Sequence, residues 1–327
     1  LLVLLAMYVS IGRIVTANLG AYQESVLREL NARVPFDIDA RRVSGQWQSF
    51  TPFIVLGDLR LSARGEGSPL ALAEGRVGID VWRSLRTRSL QVTRLELDEL
   101  VLRGELTPEG ELHFEGLSEG GGEAGEWLRE FLLNIEWAAL QQNLLYLTLP
   151  GGEVRMLDLD LSLAREGSNR QVWATLQSTR GTAISLRAQG VGDPFEPGEF
   201  SGDMYVELGT SDLGAMQDLF AASAPPVWAS GELDLALWLS WEDEQSAVAA
   251  RLDARNLNIQ SRQGEWSFPL QRLALQGQVS GQRDHWTLYA SDVALEQGGI
   301  ALTLPRLQLD GWGNALRARA IDVPFAP

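Results

Sequence analysis

Apolar side chains alternate with polar ones along most of this 327-residue chain, and this period of two limits what the chain can fold into. The longest runs extend from Leu157 to Leu163 and from Leu233 to Leu239. A period of two places every second side chain on the same face of a β-strand. The pattern therefore predicts a mainly β protein, an antiparallel sheet with one apolar face. Few segments have the helical period that would supply a cover for that face.

Three covers for the apolar face are consistent with the pattern: a second sheet, the same sheet curled on itself, or an apolar ligand. The general preference of proteins for packed layers favours a self-covered sandwich or barrel. Whichever cover applies, the alternating leucines are the candidates for lining the face. They are Leu157, Leu159, Leu161, Leu163, Leu233, Leu235, Leu237, Leu239, Leu273, Leu275, Leu302 and Leu304.

The residues between these leucines are predicted to face water. They include Asp158, Asp160, Asp234 and Gln276. Burial of an unpaired carboxylate costs several kcal/mol or removes its charge, so the acidic members belong on the solvated face.

Composition argues against several classes of function. The formal net charge of -16 disfavours a nucleic-acid partner, because phosphate binding needs a basic surface. There is no cysteine, and the two histidines, His113 and His285, are far apart in sequence. We therefore predict no metal site, no cofactor and no enzymatic activity. The eleven tryptophans fit either sheet packing or an aromatic rim at a lipid–water boundary.

The first 34 residues begin with an apolar run and continue with a helical period. The chain starts at Leu1 rather than Met, so we interpret it as a fragment, in which the run is part of a transmembrane helix or of a signal-peptide core. Because no small-residue cleavage site follows, we predict a retained membrane anchor. Its helix is expected to be continuous to Val34, before Pro35, and to project from the sheet. The anchor residues are Leu1, Leu2, Val3, Leu4, Leu5, Met7, Tyr8, Val9 and Ile11.

The remainder divides into three predicted segments. Residues 35–117 form a first β module, residues 118–134 a Gly-rich linker with a short helix, and residues 135–327 a continuing β region that is truncated at its C-terminus. Other short helices are predicted near Trp82 and after Asp212.

One strand pattern changes its phase partway along. Leu95 and Leu97 share one phase, whereas Leu100 and Leu102 share the other. A bulge or turn near Asp98-Glu99 would keep all four leucines on the same face.

Several phrases of the sequence are similar to a known family. They are the N-terminal apolar helix leading into Val34-Pro35-Phe36, Val43-Ser44-Gly45-Gln46-Trp47, Trp82-Arg83-Ser84-Leu85, Val92-Thr93-Arg94-Leu95-Glu96-Leu97, the helix at Leu213, and Gly231-Glu232-Leu233-Asp234-Leu235. On these phrases the chain resembles the YhdP group within the AsmA-like family of Gram-negative envelope proteins. The resemblance covers most of the chain, and it would make this chain the N-terminal part of a much longer protein.

The resemblance implies both a fold and a function. Members of this family are similar to bridge-like lipid-transfer proteins, in which an elongated, curled antiparallel β-sheet forms a groove. The implied protein is anchored in the inner membrane by a single helix, with the bulk of the chain in the periplasm. Its apolar groove would carry phospholipid toward the outer membrane, so phospholipids and the inner membrane are the expected partners, with outer-membrane or envelope proteins at the missing C-terminal part.

A different class of function stays open beside lipid transport. A structural or assembly factor for outer-membrane biogenesis would use exposed sheet edges to receive partner strands. A conduit needs an open apolar trough, whereas a sealed core with free edges is compatible with an assembly factor.

Overall fold

The structure is a computed structural model of the chain. It describes residues 9–10, 12–14, 16–32, 34, 36–48, 50–63, 70–88, 91–107, 112–115, 123–193, 200–217, 227–242, 245–261, 266–282, 285–312 and 315–322.

The protein is mainly β, as predicted, with 17 strands and few helices among the described residues. Its contacts group into two compact units. The first comprises Leu1–Leu106 and Leu112–Glu166, and the second Thr107–Glu111 and Gly167–Pro327. The domain division predicted from the Gly-rich stretch stays a prediction, because compact units defined by contacts need not be folding domains.

The first unit contains eight described strands. They are β1 (Phe36–Gln48), β2 (Thr51–Ala63), β3 (Leu70–Ile79), β4 (Val92–Asp98), β5 (Val101–Leu106), β6 (Leu112–Phe114), β7 (Trp137–Thr148) and β8 (Val154–Glu166). Strands β1 to β4 pair in sequence order and antiparallel, β5 pairs with β6, and β7 pairs with β8.

The prediction of a purely antiparallel sheet is wrong in the first unit. Strand β7 runs parallel to β4, with Leu97 opposite Leu140, and parallel to β5, with Leu102 opposite Leu145. A parallel pair requires a crossover connection of about a dozen residues or more. The chain between β5 and β7 has that length, and it contains a helix (Glu123–Asn134), which is typical of crossovers. The sheet is therefore mixed.

The second unit is an antiparallel meander in which each strand pairs with the next. Its strands are β9 (Asn169–Ser178), β10 (Thr182–Val191), β11 (Ser201–Thr210), β12 (Val227–Glu242), β13 (Gln245–Ser261), β14 (Ser267–Gln282), β15 (His285–Gln297), β16 (Ile300–Trp312) and β17 (Ala315–Asp322).

Left-handed residues interrupt the strands where the apolar phase changes. Glu99 has φ of 58° between β4 and β5, which confirms the irregularity predicted at Asp98-Glu99. Asn256 has φ of 49° within β13, and the buried residues on either side, Ala254 and Leu257, belong to one apolar cluster. These two are three positions apart, so an uninterrupted period of two would place them on opposite faces. The left-handed residue restores a single apolar face.

In the described part of the chain, four α-helices have defined bounds; one precedes β1, and three lie at predicted positions. They are α1 (Gln23–Asn31), α2 (Val81–Thr87), α3 (Glu123–Asn134) and α4 (Leu213–Gln217). The Asp80 carboxylate caps α2, since its Oδ1 accepts a 2.9 Å hydrogen bond from the Arg83 backbone N–H. The helices expected near Trp82, in residues 118–134 and after Asp212 are confirmed.

The N-terminal helix is not continuous, contrary to the prediction. Residues 9–10, 12–14 and 16–17 are helical, Asn18 is in a turn, and a 3₁₀ turn (Leu19–Tyr22) precedes α1. The Asn18 Nδ2 group donates to the Ile14 carbonyl at 2.7 Å, and Gly20 follows at the break. Local side-chain hydrogen bonds and glycine both weaken helical continuity.

The described part of this segment also lies against the sheet rather than projecting from it. The Asn31 side chain donates to the Ile38 carbonyl at 2.9 Å and accepts from the Ile38 N–H at 2.6 Å, while Gln23 Nε2 donates to the Ala40 carbonyl at 3.0 Å. These amides satisfy outward-facing peptide groups of β1, which would otherwise be open to pairing with another strand. The helices dock here because their amide side chains form hydrogen bonds with the outward-facing N–H and C=O groups of β1.

Glycine permits the close approach between the N-terminal segment and β1. A Cβ atom on Gly45 of β1 would lie 2.3 Å from the Thr16 carbonyl oxygen, and one on Gly12 would lie 2.0 Å from the Trp47 ring. Thr16 is 5% exposed. At Gly45 the helix backbone and the strand are therefore in direct contact, whereas at Gly12 the helix packs on the ring of Trp47.

Among the described residues, no helix has both the length and the apolar character needed to cross a membrane. Of the predicted anchor residues, Val9 is described and is helical, whereas Leu1 to Met7, Tyr8 and Ile11 lie outside the described residues.

A buried asparagine joins β7 to β8 and to the connection between β4 and β5. Asn143 of β7 is 1% exposed. Its Oδ1 accepts from the Leu100 N–H at 3.0 Å, and its Nδ2 donates to the Leu159 carbonyl at 3.0 Å. Both contacts lie where the β7–β8 register shifts, between Leu140 and Asn143. The side chain replaces ladder hydrogen bonds that the irregular backbone cannot form.

Gly45→Ala is expected to destabilise the first unit by about 1–3 kcal/mol, because the added methyl group must displace the Thr16 backbone. Urea denaturation would measure the loss. Gly151→Ala is the matched control, since a Cβ there meets nothing within 4 Å. Equal stability of the two variants would contradict the close packing.

Asn143→Ala is expected to cost about 1–3 kcal/mol, because the Leu100 N–H is left buried without its acceptor. The exposed neighbour Gln141 supplies the control variant, Gln141→Ala, which retains its backbone hydrogen bonds. Thermal unfolding of both variants would measure the difference. A melt of Asn143→Ala that matches the control would refute the structural role.

Candidate functional site: an apolar sheet face

The register of the second unit aligns apolar residues from strand to strand. Leu235 of β12 is opposite Leu208 of β11 and Leu252 of β13, and Leu252 is in turn opposite Leu275 of β14. Directly opposite residues of a sheet lie on the same face. One apolar row therefore crosses four strands at this level.

Neighbouring rows repeat the arrangement. Leu237 is opposite Val206 and Ala250, and Leu239 is opposite Met204 and Val248. We call the face of β9–β17 that carries Leu233, Leu235, Leu237 and Leu239, together with their cross-strand partners, the leucine face. It continues through Leu295 opposite Leu302 and Val293 opposite Leu304.

Most of the predicted lining residues on this face are half-buried. Leu233, Leu235, Leu237, Leu239, Leu273, Leu275 and Leu304 have intermediate exposure, and Leu302 is 43% exposed. A sealed core would bury its central leucines almost completely. The leucine face of the second unit thus retains accessible apolar surface, although its leucines are aligned from strand to strand.

The other four predicted residues lie in the first unit. Leu157, Leu159, Leu161 and Leu163 are all on β8, where Leu157 is 3% exposed and the other three are half-buried. Strand β8 pairs with β7, which places Leu157 opposite Leu145 and Leu161 opposite Leu140. The twelve leucines are therefore divided between the two compact units, four in the first and eight in the second.

A short helix covers one end of the leucine face. Leu213 of α4 is 8% exposed and forms a buried cluster with Ala254, Leu257 and Leu270. Among the described residues, the partly buried residues packed on this cluster include Leu233, Leu252 and Leu273, and exclude Leu237 and Leu239. The end of the leucine face at Leu233 is therefore covered by α4, whereas Leu237 and Leu239 lie outside this cluster.

The opposite face of the same strands is polar. Asp234, Gln276 and, in the first unit, Asp158 and Asp160 are exposed. Asp160 also has a structural role, since its Oδ1 accepts from the N–H of Gln142, whose φ is 57°. A carboxylate on the solvated face thus stabilises the left-handed residue in β7.

An ion-pair network lies on the polar face of β13 and β14. Asp253 Oδ2 accepts from Arg272 Nη2 at 2.8 Å, and its Oδ1 accepts from Arg255 Nε at 3.3 Å. The Arg272 hydrogen bond, with the charges of both arginines, holds the pKa of the Asp253 carboxyl below its usual range. The same hydrogen bond raises the pKa of Arg272.

Sequence reasoning missed the aromatic residues of this polar face. Trp173, Tyr205 and Trp238 occupy polar-phase positions, each flanked by residues of the leucine face. Tyr205 and Trp238 are in contact, with ring centroids 5.3 Å apart. The alternating pattern could have revealed these residues, because aromatic side chains between leucine-phase positions lie on the opposite face of the strand and cannot belong to the same core.

The Asp253 pair predicts a pH dependence of stability. A carboxyl group with a lowered pKa stabilises the folded state above its unfolded pKa, and this contribution is lost as the pH falls through the folded value. Asp253→Asn should therefore lower the melting temperature at neutral pH and have little effect at strongly acidic pH. Melting curves of both proteins across this range would test it, and a difference independent of pH would contradict it.

Comparison with known proteins identifies the family of the chain. A family model described as YhdP protein matches residues 1–323. A curated relative, the "Intermembrane phospholipid transporter YhdP" of Escherichia coli (strain K12), is 28% identical over 85 residues. That match covers 26% of this chain and 7% of the relative, so it spans far less than two thirds of that protein. No solved structure matches the chain. Because the family model matches almost its whole length, the chain belongs to the YhdP family.

Proposed function

We propose that this chain shields phospholipid acyl chains on an apolar β-groove and conveys them between the inner and outer membranes. The observation that carries the proposal is the leucine face, which continues in register from strand to strand and keeps its central leucines only half-buried. Family membership supports it, as does the name of the curated relative, an intermembrane phospholipid transporter.

The dimensions of the leucine face suit an acyl chain. Leu233 to Leu239 extend about 20 Å along β12 at ~3.3 Å per residue, which exceeds the ~15 Å of hydrocarbon in one leaflet. Across the sheet, the eight strands β9–β16 span about 34 Å at ~4.8 Å per strand. A lipid tail would thus find continuous apolar contact in either direction.

Shielding is the energetic requirement for such transport. Exposing an acyl chain to water costs about 0.8 kcal/mol per methylene group, so a lipid crosses an aqueous space only on an apolar surface. A face that is already partly open offers this surface without unfolding a core. The carboxylates on the opposite phase, such as Asp234, would keep the other side of the same strands in water.

The proposed setting is a single-pass anchor in the inner membrane with the bulk of the chain in the periplasm. The apolar run that begins at Leu1 supports the anchor. Docking of the following residues, 12–31, on β1 would place the start of the sheet beside the membrane. Contacts with outer-membrane or envelope proteins would belong to a C-terminal continuation of the chain.

A matched pair of substitutions tests the groove. Leu235→Arg places a charge on the leucine face, and we expect it to abolish most crosslinking to a diazirine-labelled phospholipid. The protein should stay folded, because a long arginine side chain on an open face can reach water. Asp234→Arg, one residue away on the polar face, should retain both crosslinking and the melting temperature.

The same variants distinguish a groove from a sealed core. In a sealed core, Leu235→Arg would bury an unpaired charge and lower the unfolding free energy by more than about 4 kcal/mol. Leu239→Arg provides a second variant, farther from the cluster at α4. A collapsed melt for both arginine variants would support the sealed core, and unchanged crosslinking in both would refute lipid binding on this face.

A further inference from the structure

A row of aromatic and basic side chains crosses the polar face of the second unit. Trp173 of β9 is opposite Arg187 of β10, Arg187 is opposite Tyr205 of β11, and Tyr205 is opposite Trp238 of β12. At about 4.8 Å per strand, Trp173 and Trp238 are roughly 14 Å apart. We call these four residues the aromatic row.

The aromatic row is exposed although its rings are large. Trp173 is 36% exposed and Trp238 is 43% exposed. Their sequence neighbours Val172 and Leu237 belong to the leucine face, so the row lies on the other side of the same strands. Cross-strand pairing explains one contact, between Tyr205 and Trp238, which contributes about 0.2–1 kcal/mol. It does not explain why two tryptophans stay accessible to solvent.

A second row, parallel to the first, is polar. Gln171 is opposite Gln189, Gln189 is opposite Asp203, and Asp203 is opposite Ser240. Both rows line one open cavity of about 570 Å³, together with Gln278 of β14, and Met204 and Leu239 of the adjoining phase also border it. This volume lies within the range of about 300–1,000 Å³ that is typical of small-molecule sites.

The charges and hydrogen-bonding groups of the cavity define its ligand. One arginine and one aspartate balance each other, so neither a phosphate nor a cation is favoured. The remaining polar groups are amides and a hydroxyl, which both donate and accept hydrogen bonds. A ligand with many neutral hydroxyl groups and flat apolar faces matches this combination, since its ring faces stack on aromatic rings while its edges bond to amides.

We propose that the aromatic row and the adjacent polar row form a binding site for a neutral glycan. Pyranose rings would stack on Trp173, Tyr205 and Trp238. Gln171, Gln189 and Asp203 would bind the hydroxyl groups. The spacing of neighbouring strands is close to the rise of one sugar unit in a 1,4-linked chain, so successive rings would meet successive strands. The site is on the face opposite the lipid groove, and the proposal does not depend on lipid transport.

Isothermal titration of the full chain with cellotetraose and with chitotetraose tests the site. We expect saturable binding of at least one of these neutral oligosaccharides. Trp238→Ala should weaken it about tenfold or more, as expected when a central stacking residue is removed. Asp203→Ala should also weaken binding, and it does so without removing an aromatic ring. Trp266→Ala is the control, because Trp266 is 49% exposed but does not line the cavity.

Each outcome decides the proposal. Binding that is lost in Trp238→Ala and Asp203→Ala, with unchanged melting temperatures and normal binding in Trp266→Ala, supports it. Absence of binding to both sugars, or equal binding by all variants, overturns it. Vesicles of phosphatidylethanolamine and phosphatidylglycerol form a separate arm: if Trp238→Ala abolishes vesicle binding and leaves sugar binding intact, the row is a lipid contact and the proposal is wrong. Crosslinking of phospholipid to Leu235 variants is independent of all these results.

Discussion

The register between antiparallel strands is the constraint on which the second unit depends. A shift of one residue between β12 and β13 would move Leu235 and Leu237 to the polar side and bring Asp234 to the apolar side. A shifted register would bury carboxylates and expose leucines in every row, and this free-energy cost specifies the observed register. It also determines both candidate sites, because the leucine face and the aromatic row are opposite phases of the same strands.

Long strands would lose this order without local corrections. Strands β12 to β14 contain 16, 17 and 16 residues. Asn256 takes a left-handed conformation within β13, and Gly231, with φ of 131°, accompanies a register shift in β12. Asparagine, aspartate and glycine adopt positive φ at lower cost than other residues. These positions let the strands bend while their apolar residues stay on one side.

The two faces of the second unit meet different physical requirements. The leucine face presents half-buried apolar area that α4 covers at one end, which suits a ligand without directional contacts. The polar face carries ion pairs such as Asp253–Arg272 and an aromatic cavity, which suit directional recognition. The two proposed ligands, an acyl chain and a neutral glycan, would therefore bind opposite faces of the same strands and would not compete.

The strand content, the leucine phase, the helices near Trp82 and after Asp212, and the irregularity at Glu99 could all be predicted from the sequence. All of these depend on local periodicity and capping, which are readable within a few residues. The parallel pairing of β7 with β4 and the contact between Gly45 and the Thr16 backbone became visible only in the folded chain. The same is true of the row formed by Trp173, Tyr205 and Trp238. These features join residues that are distant in sequence. Crossover connections, backbone contacts at glycine and cross-strand neighbours depend on which strands lie side by side in the sheet. A period of two in the sequence is compatible with every such arrangement, so it does not specify one.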